Sequence, residues 1–366
     1  MIRHVSRRGF LNTAAGLGAA GLASALPFGR DAHAQKVQLT GVIWGGPWHD
    51  GVRMIAAKQN KVDVRWELHQ GGSAAIIPKI KASWPNPPYD LVGQFNPLYY
   101  IWDREGWAEP FTVEEMPNLK DLPPDIFHRN AKGQIINVPI SNGGAFWGYR
   151  KDICPVEIKT MEDLLNPKLK GKVMIRDATQ GLNSNGLSYA VAHGGNEKNM
   201  EPGWEFLKKL AKSGNIGRIG KTEVEFINSL NSGECSAGFW NLTAWAAVVK
   251  NFPCEFLIKD RKEVPGFQIF MFNEGFMVPN TSPRKKETKE FINFFIGAEN
   301  NEEYNKSLGF APTNQKSKPS DMAKHISFAK KEDRDRFQYN IDYDHLSTKR
   351  EEMVRRFETE IVPIIK

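Results

Sequence analysis

The hydrophobic pattern alternates between two periods over residues 37–105. Residues 37–44 are rich in β-branched side chains, which favours a strand, and they end at a Gly-Gly-Pro turn. The next segment, 50–58, places Val52, Ile55 and Ala56 on one face of a helix. The alternation continues with strands predicted at 62–68 and 89–92 and helices at 74–82 and 99–105. This β-α-β-α-β-α order predicts a parallel sheet with helices on both faces.

The same two patterns continue through the rest of the chain. Strands are predicted at 143–149, 172–175, 236–240 and 275–278, and helices at 160–165, 204–212, 222–230 and 285–296. The tail, 332–365, is charged and is predicted to be helical. No apolar run after residue 34 reaches the roughly 20 residues that a membrane-spanning helix needs. The mixture of elements predicts an α/β protein.

The first 34 residues have the layout of an export signal. Ser-Arg-Arg-Gly-Phe-Leu at 6–11 precedes an apolar run at 13–26, and Ala-His-Ala at 32–34 provides a small-x-small cleavage site. The paired arginines are similar to those of twin-arginine (Tat) signals, although Asn12 stands where that pattern usually has lysine. The similarity implies that residues 1–34 are a signal peptide and that the folded protein works in the periplasm.

Composition excludes several classes of protein. The 366 residues are 40% hydrophobic and 25% charged, as in an ordinary soluble protein. The net charge of +7 comes partly from the arginines of the N-terminal segment, and no dense basic block occurs, so no nucleic-acid partner is expected. Cys154, Cys235 and Cys254 have no metal-ligand spacing, so neither a metal nor a cofactor is expected. A Cys235–Cys254 bridge and three free thiols both remain open.

The loops that follow the predicted strands are rich in aromatic and polar residues. They are the segments 44–50, 94–96, 177–183, 240–241 and 272–274. In open α/β sheets, ligands bind outside the carboxyl ends of the strands, and concave sites between lobes are the usual place for small molecules. These loops therefore predict a cleft that binds a small molecule.

Several motifs occur in the order found in one protein family. They are Val-Ile-Trp-Gly-Gly-Pro-Trp at 42–48, Pro-Tyr-Asp-Leu-Val at 88–92, Met-Glu-Asp-Leu-Leu-Asn-Pro at 161–167, Gly-Phe-Trp-Asn at 238–241, Gly-Phe-Met-Val-Pro at 275–279 and Gly-Phe-Ala-Pro-Thr-Asn at 309–314. The chain thereby resembles the type II periplasmic solute-binding proteins of ABC transporters, in particular the spermidine/putrescine-binding group.

The resemblance implies two lobes, each a mixed sheet flanked by helices, with the ligand cleft between them. Lobe I would comprise residues 35–142 and 275–310, and lobe II residues 143–274 and 311–366, including the helical tail. It also implies a monomer that closes on its ligand and delivers it to the membrane subunits of an ABC permease. The chain is then not expected to be an enzyme.

The resemblance also implies a set of ligand-binding residues for a putrescine- or spermidine-like amine. By motif position the set is Trp44, Asp177, Gln180, Trp240, Phe272, Glu274 and Phe310. Aromatic faces would hold the methylene chain, and the acids would pair with the ammonium ends. Gln180, Phe272 and Phe310 depart from the family pattern of an acid, a Trp and a Tyr. Loop position alone adds Trp48, Asn96, Trp147 and Asn183 as candidates.

Other ligands and functions remain open at this stage. The same fold could bind an aminophosphonate, thiamine or ferric iron, and iron would call for clustered oxygen ligands such as Tyr99 and Tyr100. An exported carbohydrate-active enzyme would use Asp177 and Glu274 as paired carboxylates. A binding protein that serves a membrane sensor would look the same in sequence.

Overall fold

The computed structural model describes residues 36–69, 75–179, 183–328 and 330–365. The strands are β1 (Val37–Ile43), β2 (Val62–Leu68), β3 (Leu91–Phe95), β4 (Val138–Arg150), β5 (Val173–Arg176), β6 (Ile216–Gly220), β7 (Ala237–Asn241), β8 (Cys254–Leu257), β9 (Ile269–Met277), β10 (Ala311–Pro312) and β11 (Gln338–Asn340). The α-helices are α1 (Pro47–Ala56), α2 (Ile76–Ser83), α3 (Asn96–Arg104), α4 (Ser184–Ala192), α5 (Glu201–Ser213), α6 (Glu223–Ser232), α7 (Leu242–Val249), α8 (Lys285–Phe295), α9 (Ala298–Leu308), α10 (Lys331–Phe337), α11 (Tyr343–Thr348) and α12 (Arg350–Arg356). The predicted helix at 160–165 is a 3₁₀ helix, Met161–Leu165.

Local signals set several of these boundaries. Helix α6 begins after Thr222, whose hydroxyl accepts the N–H of Glu225 at 3.2 Å. The Glu225 carboxylate in turn accepts the N–H of Thr222 at 3.4 Å, which completes a capping box. The helix ends at Gly233, whose φ of 77° is the left-handed conformation that glycine adopts without strain. These caps hold Glu223 in the first turn of α6.

The described strands form one mixed sheet flanked by helices. Its main path runs β2-β1-β3-β9-β4-β7-β5-β6, while β8 and β10 pair with β4, and β11 pairs with β9. Strand β1 is parallel to β2 and β3, as the sequence pattern predicts. On the other side, β5 is parallel to β6 and β7. The predicted α/β class is therefore confirmed.

Two long strands connect the two parallel parts of the sheet. Strands β4 and β9 are antiparallel to each other over most of their length. Phe95, at the end of β3, pairs with Glu274 of β9. Asn241, at the end of β7, pairs with Ala145 of β4. The carboxyl ends of strands from both parts of the sheet therefore reach the same middle section of β4 and β9.

One buried apolar cluster runs across both parts of the sheet, from Ile43 of β1 to Trp240 of β7, and a second lies on the β5 side. On the β1 side, Ile43, Phe276 and Ile292 are fully buried. On the β5 side, Trp147 and Phe239 of the sheet pack with the buried residues of α5. Position 143 requires glycine, because a Cβ at this position would lie 2.5 Å from the ring of Phe272. That close approach fixes the Phe272 ring against the middle of β4.

In its described residues the tail contains three short α-helices, one strand, a π-helix at Phe357–Ile361 and a 3₁₀ helix at Val362–Ile364. Strand β11 adds to the edge of β9, where the ring of Tyr339 stacks on Phe270 with centroids 5.1 Å apart. The guanidinium of Arg356 then pairs with Glu201 of α5 at 2.9 Å and with Glu360 at 2.8 Å. The helical prediction for 332–365 thus holds except at β11, which is extended because Tyr339 packs on a strand.

No helix in the described ranges combines the length and hydropathy needed to span a membrane. Cys154, Cys235 and Cys254 are free thiols. The predicted signal peptide at 1–34 lies outside the described residues and stays a prediction.

Candidate functional site

A buried carboxylate lies at the centre of the predicted cleft. Glu274, in the middle of β9, is 5% exposed, and its Oε2 accepts a hydrogen bond from the indole N–H of Trp48 at 2.9 Å. Among the described residues no cationic side chain lies within 4.0 Å of this carboxylate. Burial raises the pKa of Glu274 to about 8, the Trp48 hydrogen bond opposes that rise, and the nearby Glu223 carboxylate adds to it. As far as the structure describes the chain, the site thus holds an acid without a positive partner.

Four aromatic rings form a continuous wall beside this carboxylate. Trp44 follows the end of β1, and its ring centroid lies 6.4 Å from that of Trp48 in the first turn of α1. Trp48 meets Phe310 edge-on at 6.0 Å, and Phe310 meets Phe272 at 5.9 Å. The structure therefore brings five of the predicted residues together: the four rings and Glu274.

An amide pair lies at the end of β3, next to the carboxylate. Asn96, at the start of α3, accepts the backbone N–H of Asn273 through its Oδ1 at 3.4 Å. The side-chain Oδ1 of Asn273 is buried and has no hydrogen-bond partner among the described residues. Sequence reasoning did not single out Asn273, although it lies between Phe272 and Glu274 in the predicted strand-end segment. Within the described residues, this buried oxygen therefore has an unused acceptor capacity next to Glu274.

A histidine missed by the sequence analysis packs against the aromatic wall. The ring of His69, which follows β2, lies 5.2 Å from the ring of Trp44, and its Nε2 contacts the carbonyl of Gly93 at 2.8 Å. Burial lowers the pKa of His69 to about 4, so the imidazole is neutral at physiological pH. Its position directly after a predicted strand is the signal that could have identified it.

The predicted acid of the second half is engaged in its own loop. Asp177 follows β5, and its Oδ1 accepts the N–H of Thr179 at 2.8 Å. Its Oδ2 lies 4.0 Å from the ammonium of Lys221. Gln180, predicted to lie beside it, falls outside the described residues. Asn183 caps α4, with its Oδ1 accepting the N–H of Gly186 at 3.2 Å.

The tryptophan of β7 packs inside the second half and supports a cation. Trp240 is 2% exposed and stacks on Phe226 with centroids 5.1 Å apart. The guanidinium of Arg176, the last residue of β5, lies 4.8 Å from the centroid of the Trp240 ring. Arg176 was not predicted as a site residue. Its place at a strand end, just before Asp177, is the signal that sequence reasoning passed over.

Glu223 links the two sides of the cleft electrostatically. Its Oε2 accepts hydrogen bonds from Asn241 at 3.1 Å and from Thr243 at 2.8 Å. Its negative charge raises the pKa of Glu274 and also favours the charged form of Arg176. Charged groups from both parts of the sheet therefore influence each other across the middle of β4 and β9.

Trp147 is not brought into this cluster. It is fully buried in the core of the β5 side, and its indole N–H donates to Ser188 Oγ at 3.0 Å. We expect Trp147→Phe to lower the free energy of unfolding by about 2 kcal/mol, because it removes this bond and leaves a gap. Urea denaturation measures the change. Unchanged stability with lost ligand affinity would instead place Trp147 in the site.

The fold defines a class: an α/β protein of the two-lobed periplasmic-binding type, with a mixed sheet flanked by helices. The chain belongs to the family of bacterial extracellular solute-binding proteins, whose family model matches residues 53–330. A search of curated proteins finds no match.

Solved structures of the same fold cover nearly the whole chain. An ABC transporter protein from Clostridium perfringens has a TM-score of 0.69 at 18% identity, over 90% of this chain and 100% of that one. A spermidine/putrescine ABC transporter protein from Listeria monocytogenes has 0.67 at 15%, over 88% and 99%. Iron-bound HitA from Pseudomonas aeruginosa also has 0.67 at 15%, over 87% and 98%. At these identities the likeness establishes the fold alone.

Proposed function

We propose that this protein is the periplasmic solute-binding component of an ABC importer and that it captures a small organic amine. In this proposal the twin-arginine signal exports the folded chain, which acts as a monomer and delivers its ligand to a membrane permease. Family membership and the transporter proteins among its structural neighbours support the transport role. The spermidine/putrescine protein among them is consistent with an amine ligand.

The observation that carries the amine assignment is the environment of Glu274. A buried carboxylate with one neutral hydrogen-bond donor is costly to ionise, which the raised pKa of about 8 expresses. A ligand ammonium would supply the missing positive partner. The neighbouring rings of Trp44 and Trp48 add cation–π attraction of about 0.5–2 kcal/mol and cover the methylene groups.

The proposed lobes meet along the two long strands. Residues 35–142 and 275–310 would form lobe I, and residues 143–274 and 311–366 lobe II. Strands β4 and β9 would contain the hinge, since they alone connect the two parallel parts of the described sheet. Closure around the ligand would bring Trp44, Trp48 and Phe310 of lobe I against the strand ends of lobe II, with Glu274 on the connecting strand between them.

Ferric iron is less consistent with the tyrosine geometry. The hydroxyl of Tyr99 is buried, and its single proton is shared between the carbonyls of Gln94 at 3.3 Å and Asn273 at 3.5 Å. Burial raises the pKa of Tyr99 well above its usual value, which opposes the phenolate that iron binding needs. The described His, Cys, Asp and Glu side chains also form no cluster that could hold a metal.

A thermal-shift panel tests the amine proposal. We expect diamines, polyamines, betaines or aminophosphonates to raise the melting temperature, whereas ferric citrate should not. A ligand at a hundred times its Kd adds about 2.7 kcal/mol, which corresponds to a shift of about 5 °C. Stabilisation by ferric citrate or by an uncharged solute, with no response to any amine, would contradict the proposal.

A further inference from the structure

We propose that Arg176 binds an anionic group of the ligand, so that the cargo is a zwitterion with an ammonium at Glu274 and a carboxylate or phosphonate at Arg176. This inference rests on the proposed function and narrows it, because it replaces a diamine or polyamine by a molecule with opposite charges at its two ends. It assigns Arg176 as the residue that determines specificity on the second side of the cleft.

Arg176 is a cation without an acidic partner among the described residues. No described carboxylate lies within 4.0 Å of its guanidinium, and its Nε is buried without a hydrogen-bond acceptor. Among the described residues, the guanidinium lies over the face of Trp240, with its central carbon 4.8 Å from the ring centroid. The side chain as a whole is half-buried. A guanidinium carries five N–H donors and recognises carboxylates and phosphonates through pairs of them, so leaving the buried Nε–H without an acceptor is costly.

The start of α4, next to Arg176, provides a further hydrogen-bond donor. Its own N–H donates to Oδ1 of Asn185 in the first turn of α4, at 3.0 Å, which fixes the strand end beside the helix start. Asn183, the capping residue of α4, is 3% exposed, and its Nδ2 has no partner among the described residues. Two unpaired N–H donors therefore accompany the N-terminus of a helix, where the helix dipole also favours an anion.

The neighbouring acids do not satisfy Arg176. The Oε2 atom of Glu223 is taken by Asn241 and Thr243, and the carboxylate stays beyond ion-pair distance. Asp177, the next residue along the chain, accepts from its own loop instead. The negative charge of Glu223 still favours the protonated form of Arg176 from a longer distance.

The two unpaired charges select one class of ligand. A diamine would satisfy Glu274 but place a second ammonium towards Arg176, and like charges are disfavoured. A dicarboxylate would pair one carboxylate with Arg176, but its second carboxylate would lie against the carboxylate of Glu274 and be repelled by it. A molecule that carries an amine at one end and an anion at the other pairs with both residues at once.

Calorimetry at pH 8 with ligands of similar length tests this assignment. The probes are γ-aminobutyrate, aminopropylphosphonate, putrescine and n-butylamine, and the first two distinguish the two anion types. We expect the better zwitterion to bind at least tenfold more tightly than butylamine and putrescine. In Arg176→Gln the ratio between zwitterion and butylamine affinity should fall to about one, because the anionic end loses its partner.

Two further variants separate a specific role from a structural one. Arg176→Lys should recover part of the zwitterion affinity, because it restores the charge without the planar fork. Lys221→Gln, the exposed neighbouring cation, should leave zwitterion affinity unchanged. Tighter binding of putrescine than of either zwitterion to the wild-type protein would overturn the inference and leave the amine proposal standing. Failure of every amine to bind would contradict both.

Discussion

Replacing Glu274 by glutamine is expected to weaken the binding of every amine ligand by about a hundredfold or more at pH 8. The substitution keeps an acceptor for the Trp48 indole but removes the charge that an ammonium needs. Loss of one partner from a buried charge pair costs about 2–5 kcal/mol, and about 2.7 kcal/mol corresponds to a hundredfold change in Kd. Calorimetric titration of the amine that binds best to the wild-type protein measures the effect.

A matched control is available on β8. Glu255 is partly exposed and lies 3.9 Å from the ammonium of Lys151, away from the aromatic wall. Glu255→Gln should leave amine affinity within about twofold, because an exposed ion pair contributes at most about 1 kcal/mol to stability and none to this site. If Glu274→Gln retained wild-type affinity, Glu274 would not be the ammonium partner and the amine assignment would fail.

The stability of the ligand-free protein is expected to fall as the pH rises from about 4.5 to 8, relative to the Glu274→Gln variant. In the unfolded chain Glu274 ionises near its ordinary pKa of 4.5, whereas in the folded protein it keeps its proton until about pH 8. Between these values the folded state binds more protons, so the free energy of unfolding decreases with pH. The full difference corresponds to about 5 kcal/mol.

Urea denaturation across this pH range measures the effect as the difference between wild type and variant. The subtraction removes the contributions of other carboxylates, which the two proteins share. Three ionisable groups influence Glu274 electrostatically. The charge of Glu223 raises the pKa of Glu274, whereas the buried phenols of Tyr99 and Tyr304 stay neutral. A difference that stays constant from pH 4.5 to 8 would show that Glu274 ionises normally in the folded protein.

The site illustrates which predictions could come from loop composition. Trp44, Phe272, Glu274 and Phe310 were expected from the resemblance, and Trp48 from loop position alone, and the structure places all five together. Strand ends of an α/β sheet converge, so residues directly after strands could be grouped from the amino-acid sequence. The roles of these residues in binding remain predictions.

The residues that sequence reasoning misjudged depend on packing partners far away in the chain. Trp147 belongs to a predicted strand, but only the pairing of β4 with β7 shows that it points into a core. Arg176 resembles an ordinary strand-end cation until Trp240, Asn185 and the absence of a described carboxylate partner are seen together. No local pattern reports whether a charge will be paired.

The order of strands and helices could be predicted from sequence because it depends on interactions within a few residues. Capping at Thr222, the apolar face of α1 and the alternation in β2 are all local. The extent of β9 could not be predicted from sequence, since its polar residues are extended only because β3 and β4 pair with them. The burial of Glu274 was decided in the same way: its hydrogen-bond partner, Trp48, lies 226 residues away, and only tertiary packing removes the water that would otherwise keep this carboxylate ionised.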